Sequence, residues 1–230
     1  MNFEARLRES LQEKGNELNP DPELKSKVIN SSTTGMKKTQ RRVVTVILAA
    51  ALLIPTVAFA SKSILADGIY GSFNNLKRHV ATATMESYLR LDAKLAQAKG
   101  ELGDAEYNEF IVLVKKITNA KLELGDKYGN INYSRLSKEK ETELEKVHLE
   151  IQPYFDRLNE QVSSKELLSD KEYTKYIHSL MTHEEVLAKS GINPDHYVEL
   201  KEIPPNLQAE FKEARDFIKY VNDKQIGIVE

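Results

Sequence analysis

The chain has 230 residues, a net charge of −2 and no cysteine. Without cysteine it forms no disulfide, no Cys-containing zinc site, no thiol nucleophile and no lipoprotein anchor. The charge is uneven, because residues 1–42 carry nine Lys/Arg against six Asp/Glu, whereas residues 61–230 carry a net charge of −5. No basic surface of the kind that binds nucleic acid is indicated, so we expect no nucleic-acid partner.

Residues 1–42 predict two short amphipathic helices followed by a polar linker. The first covers about residues 2–14, and the second follows the turn at Asp21 and Pro22. Helices this short are not stable alone, so we expect the segment to fold on a cytoplasmic partner. The alternative, a disordered tail with coincidental periodicity, stays open. The predicted partner-binding residues are Phe3, Leu7, Leu11, Leu24 and Val28.

The only long apolar run in the chain covers residues 43–60, VVTVILAAALLIPTVAFA, and contains no charge. As a helix it would be about 27 Å long, close to the thickness of the hydrocarbon core of a bilayer. It therefore predicts a transmembrane helix from Val43 to about Leu65. The alternative, a buried helix of a soluble domain, is disfavoured because such helices rarely lack a polar face over this length.

The charges that flank this run predict its orientation. Four basic residues precede it and only Lys62 follows it closely, so residues 1–42 are expected in the cytoplasm and residues 66–230 outside the cell. The charges therefore predict a protein that crosses the membrane once, with its N-terminus in the cytoplasm. The predicted topology-determining residues are Lys37, Lys38, Arg41 and Arg42.

The same run has a second interpretation as a cleaved signal peptide. Ala58, Phe59 and Ala60 form an A-x-A cleavage site after a basic segment and an apolar segment. Against cleavage, the 42 preceding residues have the patterning of structured, functional chain. We favour the uncleaved anchor.

The pattern after the run is helical throughout. It predicts a helix over residues 72–99, breaks at Gly100 and Gly103, and a second helix over residues 104–124. A third helix begins near Ser137 and is kinked or divided by Pro153.

The remaining C-terminal pattern predicts two short helices and one longer helix. The short helices begin at the capping boxes Ser169/Glu172 and Thr182/Glu185, and the longer one covers about residues 204–224. No strand is predicted. We therefore expect an all-α fold, with a short cytoplasmic segment, one transmembrane helix and an extracytoplasmic antiparallel helical bundle.

No residue pattern indicates catalysis, a cofactor or a metal site. His183 and Glu184 begin a sequence like the zincin motif, but Leu187 stands where the second histidine is needed. There is neither a phosphate-binding glycine loop nor a G-x-S-x-G elbow. The acidic residues Glu141, Glu143 and Glu145 are accompanied by Lys138, Lys140 and Lys146 and predict a solvated face. We expect no enzyme, no cofactor and no metal.

Two parts of the chain resemble known bacterial regulators. Residues 7–30, LRESLQEKGNELNPDPELKSKVIN, resemble the cytoplasmic end of small membrane-bound anti-sigma factors. Residues 68–80, GIYGSFNNLKRHV, and residues 182–218, THEEVLAKSGINPDHYVELKEIPPNLQAEFKEARDFI, are similar to a Bacillus family of negative effectors of extracytoplasmic-function sigma factors.

This resemblance implies that the tail sequesters a sigma factor from core RNA polymerase, that the outer domain senses an envelope signal, and that release follows proteolysis or a conformational change. The sensed ligand and the protease are not indicated. The chain lacks the zinc-binding His-x-x-x-Cys-x-x-Cys motif of better-known anti-sigma factors. The alternative is a secreted or anchored helical binding module with no sigma-factor role.

Overall fold

The structure, a computed structural model, describes residues 65–228. Within this range there are helices and no strand; a single β-bridge joins Gly125 and Ile131. The predicted all-helical class is confirmed for these residues. The helices are α1 (Asp67–Tyr70), α2 (Phe73–His79), α3 (Met85–Leu124), α4 (Lys138–Leu158), α5 (Ser164–Leu167), α6 (Asp170–Ser190) and α7 (Gln208–Gln225), with 3₁₀ turns at Tyr133–Arg135, Leu200–Glu202 and Pro205–Leu207.

None of the helices between residues 65 and 228 is both long and apolar enough to cross a membrane. The predicted transmembrane helix lies outside the described residues except for Leu65, and the predicted cytoplasmic segment lies outside them entirely. These two predictions therefore rest on the sequence alone.

The single helix predicted over residues 72–99 is wrong, because the chain leaves helical geometry between α2 and α3. Ser72 caps α2 by accepting a hydrogen bond from Asn75 N at 3.1 Å. Thr84 caps α3 in a reciprocal pair with Ser87, each side chain accepting from the other's backbone N–H at 3.1 Å. These local bonds compete with helix continuation, which is why a helical pattern contains a break.

Helix α3 is a hairpin of two arms that reverses at Gly103. A straight helix of its 40 residues would be about 60 Å long. Instead, the residues flanking its two ends meet, because Ala81 N donates to Lys127 O at 2.9 Å. Gly103 has φ 73° and ψ 173°, a conformation that favours glycine. The predicted break at Gly103 is confirmed, and the break predicted at Gly100 is wrong. The first arm is residues 85–102 and the second arm is residues 104–124.

Helix α4 contains Pro153 without being divided by it. Ser137 caps the helix, as predicted, by accepting from Lys140 N at 3.3 Å. Proline has no N–H to donate to the carbonyl of Leu149, one turn earlier. The hydroxyl of Tyr173 donates to that carbonyl at 2.8 Å. A side chain from α6 therefore replaces the hydrogen bond that Pro153 removes.

Helix α6 runs without interruption where two short helices were predicted. The Ser169/Glu172 capping box is present, and Gly191 ends the helix in the left-handed conformation with φ 63°. Thr182 lies inside the helix, so the predicted capping box with Glu185 is wrong. The patterning prediction for the last helix is confirmed, because its apolar stripe faces the core. The fully buried members of the stripe are Phe211, Ala214, Ile218 and Val221.

Neighbouring helices run antiparallel, as predicted. His183 stacks on Phe211 near one end of the α6–α7 pair, and Lys175 lies over the ring of Phe217 nearer the other end. Three apolar clusters make the core. The first joins α1, α2, α3 and the end of α4; the second joins α3, α4, α6 and α7; the third joins the end of α6 to the start of α7. These described residues thus bury their apolar faces on one another.

Candidate functional site

The sequence-predicted site residues all lie outside the described part of the chain. This holds for the partner-binding set in the tail and for the basic residues that set the topology. The structure neither brings them together nor separates them. Within residues 65–228 the strongest concentration of polar chemistry is a buried cluster that the sequence did not indicate.

Glu184 is the centre of this buried network. Its Oε1 accepts hydrogen bonds from Lys121 Nζ and, at 3.1 Å, from the backbone N of Ile131. Its Oε2 accepts from the Tyr133 hydroxyl at 3.0 Å. The Tyr133 hydroxyl in turn lies 3.1 Å from Nε2 of His148. We call these five residues the Glu184 network.

The surroundings fix the protonation of the Glu184 network. Burial raises the pKa of Glu184, but the attraction of Lys121 and the hydrogen bonds it receives outweigh burial, so the pKa is lowered overall. Burial lowers the pKa of His148 to about 4, against the opposing effect of the Glu184 carboxylate. At neutral pH the network therefore holds an ionised Glu184 and a neutral imidazole. Since Tyr133 donates to Glu184, the imidazole Nε2–H is the donor to the hydroxyl oxygen.

The network joins four separate parts of the fold. Lys121 lies at the end of the second arm, Ile131 and Tyr133 in the loop after it, His148 in α4, and Glu184 in α6. Lys121 Nζ also donates to the carbonyl of the loop residue Gly129 at 3.2 Å. The loop between α3 and α4 is therefore attached to a buried charge pair by its own backbone.

A cleft of about 440 Å³ lies against this loop and the end of α6. Its polar lining comes from Asp126, Asn130, Asn132, Arg135 and Lys189. Its lining therefore combines a carboxylate, two amides and two cationic side chains. A cleft of this size and lining can take a small polar molecule.

Asp126, which lines the cleft, has one carboxylate oxygen that accepts hydrogen bonds and one that accepts none from the described residues. Its Oδ1 accepts from the backbone N of Tyr128 at 2.8 Å and of Asn130 at 3.0 Å, which holds the turn. Its Oδ2 is buried and has no hydrogen-bond partner within residues 65–228. Asn130 donates to the carbonyl of Ile192 at 3.3 Å and so joins this turn to the loop after α6.

The histidines form no metal centre in the described part of the chain, where no group of three metal-ligating side chains is found. His183, which the predicted Thr182/Glu185 capping box would place in the first turn of a helix, is instead buried inside α6 and packs on Phe211 with ring centroids 4.6 Å apart. His178 pairs with Glu145 on the surface at 2.9 Å. The acidic run at residues 141–145 thus makes surface ion pairs.

Sequence reasoning missed Glu184 although a signal was present. Glu184 stands three residues after Met181 and seven after Ile177, both buried, so it occupies a core position of α6. A glutamate at a core position needs a buried cationic partner. The predicted helix break at Thr182 concealed this spacing.

Comparison with known proteins gives a family and no function. No curated protein matches the chain. A family model described as "Domain of unknown function (DUF3600)" matches residues 63–224, well over half of the chain and nearly the whole of the described fold. The chain therefore belongs to the DUF3600 family.

Proposed function

We propose that the protein is a membrane-bound negative regulator of an extracytoplasmic-function sigma factor. Residues 1–42 hold the sigma factor in the cytoplasm, residues 43–65 cross the membrane, and the helical domain outside senses an envelope signal. The proposal assigns the chain no enzymatic activity, because its work is binding on two sides of a membrane.

The observation that carries the proposal is the placement of the folded domain relative to the apolar run. The run ends at Ala60, the family match begins at residue 63, and the described fold begins at Leu65. The order is therefore a basic amphipathic tail, an apolar run long enough to span, and one folded domain that starts directly after it. Such an order suits a protein that connects two compartments.

The sensing role is supported by the cleft beside the Glu184 network. A ligand held by Asp126 or Arg135 would contact the loop whose backbone is bonded to Lys121 and Glu184. That loop is thereby connected to α3, α4 and α6 at once. A change at the cleft has a physical route into the packing of three helices.

The experiment is copurification of the source bacterium's sigma factors with the full-length chain in mild detergent. The test variant replaces Phe3, Leu7 and Leu11 by Ser, which removes the apolar face of the first predicted helix. The control variant replaces Ala5, Glu9 and Gln12 by Ser on the opposite face. We expect one sigma factor to copurify with the wild type and the control, and to be lost from the test variant.

Recovery of no sigma factor by the wild-type chain, with the detergent-solubilised protein folded, contradicts the proposal. Equal recovery by all three chains contradicts the assignment of Phe3, Leu7 and Leu11 as the binding face.

A secreted helical binding module is the second candidate, favoured by the A-x-A sequence at Ala58 and Ala60. Every residue of the described fold lies after this site. Mass spectrometry of the mature protein separates the two candidates. A polypeptide that begins at Ser61 supports the secreted module, and one that retains the tail supports the regulator.

A further inference from the structure

We infer that the domain rests one defined surface on the outer face of the membrane. This membrane-facing surface consists of the apolar side chains Met85 and Leu89 with the basic side chains Arg78, Arg90 and Lys127. Met85 is 48% and Leu89 50% exposed, one helical turn apart on the first arm of α3. The partner to which we commit is a bilayer containing negatively charged lipid headgroups. The inference rests on the proposed membrane anchor.

The membrane-facing surface lies beside the point where the chain joins the domain. The backbone N of Ala66 donates to Asp92 Oδ1 at 3.0 Å, and the Tyr88 hydroxyl donates to Asp67 Oδ1 at 2.6 Å. The start of the domain is therefore fixed on the face of the first arm that carries Tyr88 and Asp92. Met85 and Leu89 flank that face on the same helix, one turn or less away.

The length of chain before this point keeps it near the bilayer. Even if the membrane-crossing part ended at Ala60, the backbone from there to Leu65 reaches at most about 18 Å when fully extended, and the connection is shorter if the transmembrane helix continues to Leu65. A domain attached by so short a connection presents the region around its attachment point to the membrane. The exposed pair Met85 and Leu89 is in that region.

The distribution of charge favours the same orientation. Residues 65–92, which hold the attachment point and the start of the first arm, contain three Lys/Arg and three Asp/Glu, whereas residues 100–228 contain eighteen against twenty-five, a net charge of −7. Arg90 is paired with Glu86, while Arg78 and Lys127 are exposed, and Lys127 O accepts the bond from Ala81 N. An anionic surface attracts the exposed side chains of Arg78 and Lys127 and repels the acidic remainder of the domain more than residues 65–92, which carry no net charge. Exposed apolar side chains among basic ones are typical of surfaces that enter the interfacial layer of a bilayer.

An exposed apolar residue near the other end of the first arm provides a matched control. Val162 is 53% exposed and follows the end of α4. There, Arg157 of α4 donates to the carbonyl of Glu101 at 2.7 Å, beside the reversal at Gly103. The first arm is about 26 Å long, and Met85 lies at its opposite end from this contact. Val162 has the exposure of Leu89 without its proximity to the attachment point.

The absence of cysteine makes the experiment direct. Leu89→Cys and Val162→Cys are made separately in the full-length chain, labelled with an environment-sensitive fluorophore and reconstituted in vesicles of phosphatidylcholine and phosphatidylglycerol. Flotation reports whether the chain is anchored, and circular dichroism reports folding. Quenching is measured with aqueous iodide and with a nitroxide carried near the headgroup end of a lipid acyl chain.

We expect the nitroxide lipid to quench the label at residue 89. We expect iodide to quench that label several-fold less than it quenches the label at residue 162. Vesicles of phosphatidylcholine alone should reduce that difference. A floating chain whose label at residue 89 is as open to iodide as that at residue 162 overturns the inference and leaves the anchor intact. Protection from both quenchers overturns it in favour of a protein contact. A chain that does not float overturns the proposed anchor and the inference together.

Discussion

Replacing Glu184 by Gln tests whether the Glu184 network holds the domain together. The substitution keeps the size of the side chain and removes its charge. It also puts an amide donor opposite Lys121, Ile131 N or the Tyr133 hydroxyl, all of which donate to Glu184 in the structure. We expect the free energy of unfolding to fall.

The magnitude follows from the burial of the two charges. Removing one partner of a buried ion pair costs about 3–5 kcal/mol. The lower end applies here, because the side chain of Lys121 is 22% exposed and that of Glu184 is 9% exposed. A loss of about 3 kcal/mol lowers the Tm of a domain of this size by roughly 6–12 °C.

The assay is urea unfolding of the full-length chain in mild detergent, followed by far-ultraviolet circular dichroism. Glu213→Gln is the matched control, since Glu213 pairs with Lys175 at 3.8 Å on the surface, where both side chains are more than half exposed. An exposed pair contributes less than about 1 kcal/mol. Lys121→Met combined with Glu184→Gln should recover part of the loss, because no uncompensated buried charge remains. If Glu184→Gln destabilises no more than Glu213→Gln, the network is not a determinant of stability.

Three further predictions follow from single positions. Gly103→Ala should cost about 1–3 kcal/mol in urea unfolding, because φ is 73° there, whereas Gly100→Ala, inside a helix, should be neutral or stabilising; equal effects would contradict the hairpin. Tyr173→Phe should cost about 1 kcal/mol by leaving a partly buried carbonyl without a donor, and adding Pro153→Ala should restore part of it, since alanine supplies the missing N–H; no rescue would contradict that pairing. Because the pKa of His148 falls from 6.5 unfolded to about 4 folded, the unfolded chain binds more protons as pH drops, and His148 should account for about 2 kcal/mol of the stability lost between pH 7 and pH 5, with a similar share from His183, whose pKa burial also lowers to about 4; a His148→Gln variant with an unchanged pH dependence would contradict it.

The sequence predicts the helices of this fold better than their ends. The 3.6-residue period identified every long helix, because burying one apolar face is what stabilises it. The division between α2 and α3 was missed, because Thr84 and Ser87 compete with the helix through local hydrogen bonds that leave the apolar period unchanged. The opposite error occurred at Thr182, where capping residues lie inside a helix that tertiary packing maintains.

The Glu184 network shows why a buried polar cluster is harder to predict than a core. Its members come from positions 121, 131, 133, 148 and 184, so their proximity depends on the reversal at Gly103 and on which helices are neighbours. The effect of Pro153 also depends on contacts between residues that are distant in the sequence. Proline predicts a break, and only the packing of α6 shows that Tyr173 supplies the missing donor. Local sequence patterns do not predict features that depend on contacts between distant residues.

The central claim is that one polypeptide has its tail inside the cell and its folded domain outside. Because the chain has no cysteine, Ser32→Cys and Lys201→Cys can be tested one at a time with a membrane-impermeant maleimide on intact and lysed cells. Lys201 is on the surface of the domain, with a side chain 78% exposed. The account predicts that Cys at residue 201 is labelled on intact cells, that Cys at residue 32 is labelled only after lysis, and that both labels are on a chain of full length. Labelling of residue 32 on intact cells, or a mature chain that lacks residue 32, would contradict the account.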